Sequence, residues 1–263
     1  MRLSFVISTY NNPAALNAIF SRLAADTSAR PHEVVIADDG SGPATRAVIE
    51  KWSKLAPFKV LHARQEDRGF RKSLILNSAI AMTEGEYLVF LDGDCLPAPR
   101  FAADHAALAE SGTFVQGRRA FVDESKVADL LAGRTTLGRL MLTGHVHGLL
   151  KAMRWPVPVI QRNQGQRGLI GCNLAIWRQD LVAVNGYDES YEGWGKEDSD
   201  LGARLYHHGL ERKFVYGRAI VYHLNHPPAS RAQLPDAERR LEETLSTRRV
   251  KALRGLDQHQ PVQ

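Results

Sequence analysis

Two cysteines among 263 residues, Cys95 and Cys172, are too few for a disulfide framework, and both read as small buried hydrophobes. No run reaches the ~18 apolar residues of a bilayer span, which excludes an integral helical membrane protein. A signal-peptide pattern is missing from the amino terminus, so the expected location is the reducing cytoplasm. Neither a Gly-x-Gly-x-x-Gly fingerprint nor a Walker-type glycine-rich loop occurs, and dinucleotide dehydrogenases and P-loop NTPases fall away with them. There is no internal repeat and no Gly/Ser/Pro-rich linker. Acid is missing from Leu130 to Gln179, where Arg134, Arg139, Lys151, Arg154, Arg162, Arg167 and Arg178 stand among leucines and methionines. That one-signed stretch suits an anionic membrane surface or an anionic acceptor, or else is a solvated basic face. Its arginines are too dispersed, and recognition modules too plainly absent, for nucleic acid to be a partner.

A hydrophobic content of 44% in a chain of this length supports one large core. Apolar runs alternate with helical periodicity: Arg2 to Ser8, then Ala14 to Ala25 behind Pro13; Glu33 to Ala37, then Ala44 to Leu55; Phe58 to Ala63, then Arg71 to Met82; then Tyr87 to Leu91. The alternation predicts an α/β fold with a mostly parallel central sheet flanked by helices. Beyond it the pattern predicts a helix at Phe101 to Glu110, one strand at Thr113 to Val122, and a helical basic excursion over 130–168. Leu169 to Trp177, Phe214 to Tyr216 and Ala219 to Tyr222 read as further strands, and Arg231 to Leu253 as a charged carboxyl-terminal helix.

The polar clusters follow strands, where open α/β sheets place their ligands. Asp92 and Asp94 end the apolar run Tyr87 to Leu91, and two carboxylates there repel each other unless a cation meets them. A hard divalent ion such as Mg²⁺ or Mn²⁺, completed by phosphate oxygens, fits that need. Thr9, Tyr10 and Asn11 after the first strand, and Asp38 and Asp39 after the second, can meet a nucleotide or can simply form turns. His223, closing a short strand, is a third metal ligand or a structural histidine. Tyr191 to Asp200 holds two aromatic rings, two glycines and four acids. There Trp194 can stack on a sugar face, while Glu197 and Asp198, at the start of a helix, can accept a hydroxyl proton or cap that helix.

Taken in order, Phe5-Val6-Ile7-Ser8-Thr9-Tyr10-Asn11, Val35 to Ser41, Gln65-Glu66-Asp67-Arg68-Gly69-Phe70-Arg71, Phe90-Leu91-Asp92-Gly93-Asp94, Gly171-Cys172-Asn173, Gly193 to Asp198, and Val221-Tyr222-His223 followed by Pro227-Pro228 resemble the nucleotide-sugar glycosyltransferases of family 2 with the GT-A fold. The resemblance covers residues 2–228 and is nearest to bacterial chondroitin-polymerase-type domains, then to animal galactosyl- and N-acetylgalactosaminyltransferases. It implies a single domain over 1–228, with a nucleotide-binding half at 1–112 and an acceptor half at 113–228, followed by a helical tail at 229–263. It further implies that Thr9, Tyr10, Asp39, Asp67, Arg71 and Asp92 border a UDP-sugar, and that Asp94 and His223 hold Mn²⁺ or Mg²⁺. Trp194 and Asn173 would line the substrate pocket, with Glu197 holding a hydroxyl and Asp198 as the base. The implied reaction is inverting transfer to a glycan or glycolipid acceptor of a bacterial surface polysaccharide or lipopolysaccharide, at the inner face of the cytoplasmic membrane or in the cytoplasm. Lys196, where relatives often carry glycine, departs from the pattern. A catalytically silent carbohydrate-binding module and a sugar nucleotidyltransferase are the alternative readings.

Overall fold

The computed structural model describes residues 1–166, 168–227 and 230–259; the expectations on Arg167, on Pro228 and on the last residues of the tail lie outside them. Strands β1 (Leu3–Thr9), β2 (Glu33–Asp38), β3 (Lys59–Arg64) and β4 (Tyr87–Asp92) pair in parallel in the order β3-β2-β1-β4. Helices α1 (Pro13–Ala25), α2 (Pro43–Leu55) and α3 (Lys72–Met82) cross between them, the first two opened by proline at a position where no backbone donor is required. Alternate residues of each strand face separate cores. Phe5, Ile7, Val34 and Ile36 pack with α1, and Val6, Val35, Leu88 and Phe90 pack with α3. Burial on both faces is why these strands read as unbroken apolar runs.

After β4 the chain forms β5 (Cys95–Pro97) and α4 (Phe101–Leu108), and then departs from the single strand expected at Thr113 to Val122. It divides at Gly117 into β6 (Thr113–Gln116), in the main sheet, and β7 (Arg118–Val122), in a second sheet. A Cβ on Gly117 would lie 2.2 Å from the Ala219 carbonyl and 2.4 Å from the Asn173 amide nitrogen, so glycine permits the crossing. Helix α5 (Glu124–Leu131) follows. The basic excursion is not simply helical. It contains α6 (Leu137–Leu142), β8 (Val146–His147), α7 (Leu149–Ala152) and β9 (Val159–Asn163). The last of these is placed by pairing with residues some fifty positions later, as in Arg212 with Asn163, which a local pattern does not reveal.

Strand β10 (Asn173–Trp177) runs antiparallel between β4 and β6, with the expected run from Leu169 to Cys172 forming a loop instead. Helices α8 (Arg178–Ala183) and α9 (Glu197–His207) lead to β11 (Glu211–Tyr216) and β12 (Ile220–Leu224), and α10 (Leu234–Thr247) packs on α9. The result is an eight-stranded sheet, β3-β2-β1-β4-β10-β6-β11-β9, beside a four-stranded one, β5-β12-β7-β8. Among the described residues no helix is long and apolar enough to cross a membrane.

The two sheets are joined at a buried polar knot. Asn173, fully buried, donates to the carbonyls of Arg118 (3.2 Å) and Ala219 (2.7 Å), and its oxygen accepts from His105 Nε2 at 3.1 Å. With both amide protons committed, the Asn173 oxygen can only accept, so His105 carries its proton on Nε2. Burial depresses the His105 pKa from 6.5 to about 4. The stability this contributes is complete above pH 6.5 and is lost as the pH falls toward 4, by about 3 kcal/mol. Chemical denaturation from pH 8 to pH 4 should show that decline in the wild type and a shallower one in His105→Gln; parallel curves would contradict it.

Candidate active site

The carboxyl ends of β1, β2 and β4 and the amino terminus of α9 open onto one cleft of 790 Å³. Thr9, Tyr10, Asp39, Asp92, Asp94, Trp194, Glu197 and Asp198, singled out in the sequence from separate segments, all line it. Asp67 and Arg71 stand outside the lining and position residues within it. Asp67 accepts a 2.9 Å hydrogen bond from the Tyr10 hydroxyl, and the Arg71 backbone N–H donates to Asp39 at 2.9 Å. The other Asp39 oxygen accepts from Gln65. Asn173 does not reach the cleft, because all its hydrogen-bonding capacity is spent in the knot between the sheets.

Three of the cleft's carboxylates share one ammonium. Lys72, at the first position of α3, lies 2.9 Å from Asp92 Oδ1 and 3.7 Å from Glu197 Oε1, with Asp198 close enough to act on its charge. A cation at a helix amino terminus opposes the dipole, so the carboxylates are what make the position tenable. Against burial, Asp92, Asp198 and Glu197 hold the Lys72 pKa well above its ordinary value. Burial, then the charge of Asp198, push Glu197 up to about 7 even though Lys72 pulls it down. Asp198 is raised by burial in the same way.

The carboxylate of Asp198 is held by one oxygen only. Oδ2 accepts from the Gly171 N–H at 2.9 Å, while Oδ1 is buried without a hydrogen-bond partner among the described residues. A Cβ on Gly171 would stand 2.0 Å from Oδ1, so only glycine leaves the carboxylate its place. The helix behind it is fixed by a buried ion pair between Asp200 and Arg204 at 2.7 Å, with Arg204 also donating to the carbonyls of Val184 and Gly186. Thr244 of α10 donates to the second Asp200 oxygen at 2.7 Å. Lys196, the departure noted in the sequence, has φ of +72°, a conformation natural to glycine that costs another residue about 1 kcal/mol. Its ammonium lies 3.3 Å from Glu238 of α10.

At the other end of the cleft, Asp94 Oδ2 lies 3.4 Å from His223 Nε2 and 3.0 Å from His226 Nε2. β5 pairs with β12 so that Cys95 sits opposite His223, which brings the imidazole to the preceding residue, Asp94. Although burial would raise Asp94, the hydrogen bond from His226 and the charge of His223 hold it below the usual carboxylate range. That same bond lifts His226 to about 9. Carboxylate and imidazole donors converging at one point suit a divalent ion of the Mn²⁺ kind. The adjacent Cys95 thiol is buried and kept protonated.

Lys72, Arg119 and His226 were not anticipated, nor was a role for Gly171, which the sequence offers only within a family segment. Each is an ordinary residue in its own segment, and only His226, three positions after a suspected ligand, had a local signal. Arg119 lines the cleft facing Asp198, and the Arg231 guanidinium lies 5.2 Å from the ring of the exposed Trp194.

The signature described as "Glycosyl transferase family 2" matches residues 4–176, and that of the "N-terminal domain of galactosyltransferase" matches residues 156–227. The chain is 26% identical over 242 residues to the chondroitin synthase of Escherichia coli, covering 86% of this chain but 35% of that protein's length. In three dimensions it is similar to GalNAc-T7 crystallised with UDP, GalNAc and Mn²⁺ (TM-score 0.67, 16% identity, 93% of this chain and 48% of that one). It is also similar to Staphylococcus aureus TarS 1-349 (TM-score 0.66, 16% identity, 98% and 68%). Identities this low carry the fold, which is GT-A.

Replacing Lys72 by Met should leave three carboxylates without their counter-charge and destabilise the protein by on the order of 2–3 kcal/mol, less than a fully buried pair because Asp92 keeps 29% of its exposure. The loss should be larger at pH 8 than at pH 5, where Glu197 takes up a proton. Equal denaturant midpoints for variant and wild type at pH 8 would sink this account.

Proposed function

The chain belongs to glycosyl transferase family 2, and from that premise we propose that its cleft moves a sugar from a UDP-sugar to a hydroxyl of a glycan or glycolipid, with inversion at the anomeric carbon. The observation that carries the reading is the Asp198 carboxylate, anchored through Oδ2 and leaving a buried Oδ1, without a partner among the described residues, in the same cleft as Asp94, behind which His223 lies 3.4 Å away.

Each part has a role that follows from its place. Thr9, Tyr10 and Asp39 border the uridine, with Asp67 and Arg71 bracing Tyr10 and Asp39 from behind. Asp92, fixed by the Ser8 hydroxyl and the Lys72 ammonium at 2.9 Å each, faces the ribose. Asp94 and His223, with His226 beside them, are the residues to hold Mn²⁺ or Mg²⁺, which when bound neutralises charge on the departing diphosphate. Trp194 offers a ring to the sugar or acceptor, and Glu197 a carboxylate to one of their hydroxyls. The acceptor oxygen forms the new glycosidic bond as the bond from the anomeric carbon to the diphosphate oxygen breaks, and the acceptor proton passes to Asp198 Oδ1. Burial raises both carboxyl groups, Glu197 to about 7, which suits proton uptake, and protonation of Glu197 and of Asp198 silences the site, so the rate should fall as the pH is lowered from neutrality.

The cytoplasmic face of a bacterial membrane, where surface polysaccharide and lipopolysaccharide are built, is the proposed setting. TarS has been crystallised with UDP and with UDP-GlcNAc, and the PcManGT mannosyltransferase with GDP-Man and Mn²⁺; these ligands support a nucleotide-sugar donor and a divalent ion here.

Asp198→Asn should lower transfer by about 10²- to 10⁴-fold while UDP binding with Mn²⁺ is retained. Normal turnover in that variant would put the base elsewhere. Gly171→Ala, whose methyl group displaces the carboxylate, should cost on the order of 10²-fold with an unchanged donor affinity. A wild-type rate in Gly171→Ala would mean that the orientation of Asp198 is immaterial.

A further inference from the structure

A second cavity, of 180 Å³, adjoins the main cleft, and Arg119 and Ile170 line both. The volume has room for about six waters, or for one pendant group of that size. Its walls carry Arg118, Arg119 and Lys151, with no acidic residue among the lining. The Arg118 guanidinium is stacked on Phe214 and Tyr216, at 4.5 and 4.6 Å from the ring centres, which fixes its plane. Its Nε is buried and has no hydrogen-bond partner among the described residues. Arg119 lies over Phe121 at 5.0 Å and, among the described residues, has the Cys172 sulfur, 3.8 Å away, as its one acceptor.

Elsewhere in the basic stretch four of the cations are already engaged. Arg134 pairs with Asp129, Arg154 with Asp104 and Arg162 with Glu110, while Arg178 donates to the carbonyls of Ile80 and Thr83. Among the described residues none offers Arg118, Arg119 or Lys151 a carboxylate within ion-pair distance. Three like charges gathered in one small cavity repel one another, and an anion is what relieves them.

We infer that this cavity is an anion subsite for the acceptor: it receives a carboxylate or phosphate carried on the acceptor chain next to the sugar whose hydroxyl is attacked. The inference rests on the main cleft being the transfer site, and it adds the acceptor's charge class. The cavity meets the cleft beside Ile170, the neighbour of the Gly171 that anchors Asp198, so an acceptor reaching the base has its adjoining unit at the cavity mouth. The diphosphate of the donor belongs at the Asp94–His223 end and leaves these cations free. Arginine held flat by aromatic rings is suited to grip carboxylate or phosphate in bidentate fashion, and Lys151 adds a point charge.

The test is ligand-observed NMR titration of the full chain, saturated with UDP and Mn²⁺, using methyl β-glucuronide, glucose 6-phosphate and neutral methyl β-glucoside. The expected result is at least tenfold tighter binding of an anionic sugar than of the neutral one. Whether glucuronide or phosphate binds better identifies the source of the charge. Arg118→Met with Lys151→Met should abolish the preference and leave UDP binding intact. Lys151→Gln alone, on a short surface helix, should reduce it even if loss of the Arg118 stack weakens the fold. Equal binding of charged and neutral sugars by the wild type overturns the subsite, as does an undiminished preference in these variants. Binding to anionic vesicles with no preference among the sugars also overturns it and assigns the cations to a lipid surface. If the wild type fails to bind UDP with Mn²⁺ yet still prefers the anionic sugars, the donor reading fails and the anion site stands.

Discussion

One ammonium group, that of Lys72, lies where three acidic side chains from two distant parts of the chain come together. Asp92 ends β4, Glu197 and Asp198 begin α9, and without a counter-charge each would raise the cost of ionising the others. At an effective dielectric constant of 20 a pair of charges 4 Å apart interacts by roughly 4 kcal/mol, comparable to a large share of a domain's net stability. Lys72 therefore ties the edge of the sheet to the start of α9, and those carboxylates in turn make tolerable a cation at the amino terminus of α3. The balance leaves Glu197 and Asp198 raised toward neutrality, where a proton acceptor is most useful.

Two structures away from the cleft give this arrangement its precision. The Asp200–Arg204 pair, with Thr244 from α10, fixes α9 so that its first turn cannot rotate without breaking buried hydrogen bonds. The knot of Gly117, Asn173 and His105 holds the second sheet against the first. That second sheet carries Asp94's histidine partner on β12, so the two ends of the cleft are set by different sheets and their relation depends on the knot.

The sequence made the parallel half legible because its strands are buried on both faces and its helices alternate with them at short range. The acidic clusters were legible because each is contiguous: Asp92 with Asp94, Glu197 with Asp198. Lys72 and Arg119 were not, since a lone cation shows its purpose only beside the acids it meets in space. Gly171 stands in the sequence within an apolar run and a family segment, but its role shows only in space, where the Asp198 carboxylate fills the place a Cβ would take. Asn173 belongs to the substrate pocket only by the family resemblance of Gly171-Cys172-Asn173, yet its three side-chain hydrogen bonds are all internal. The division at Gly117 and the strand β9 depend on pairing across many residues, which leaves little trace in local periodicity.

The account stands on the cleft binding a uridine diphosphate through a divalent ion at Asp94 and His223. Calorimetric titration of UDP into the wild-type protein, with Mn²⁺ and then with a chelator in excess, addresses this most directly. Saturable binding at one site that weakens at least tenfold when the metal is removed is the predicted result. Affinity indifferent to the metal, or no binding of UDP under either condition, would contradict it.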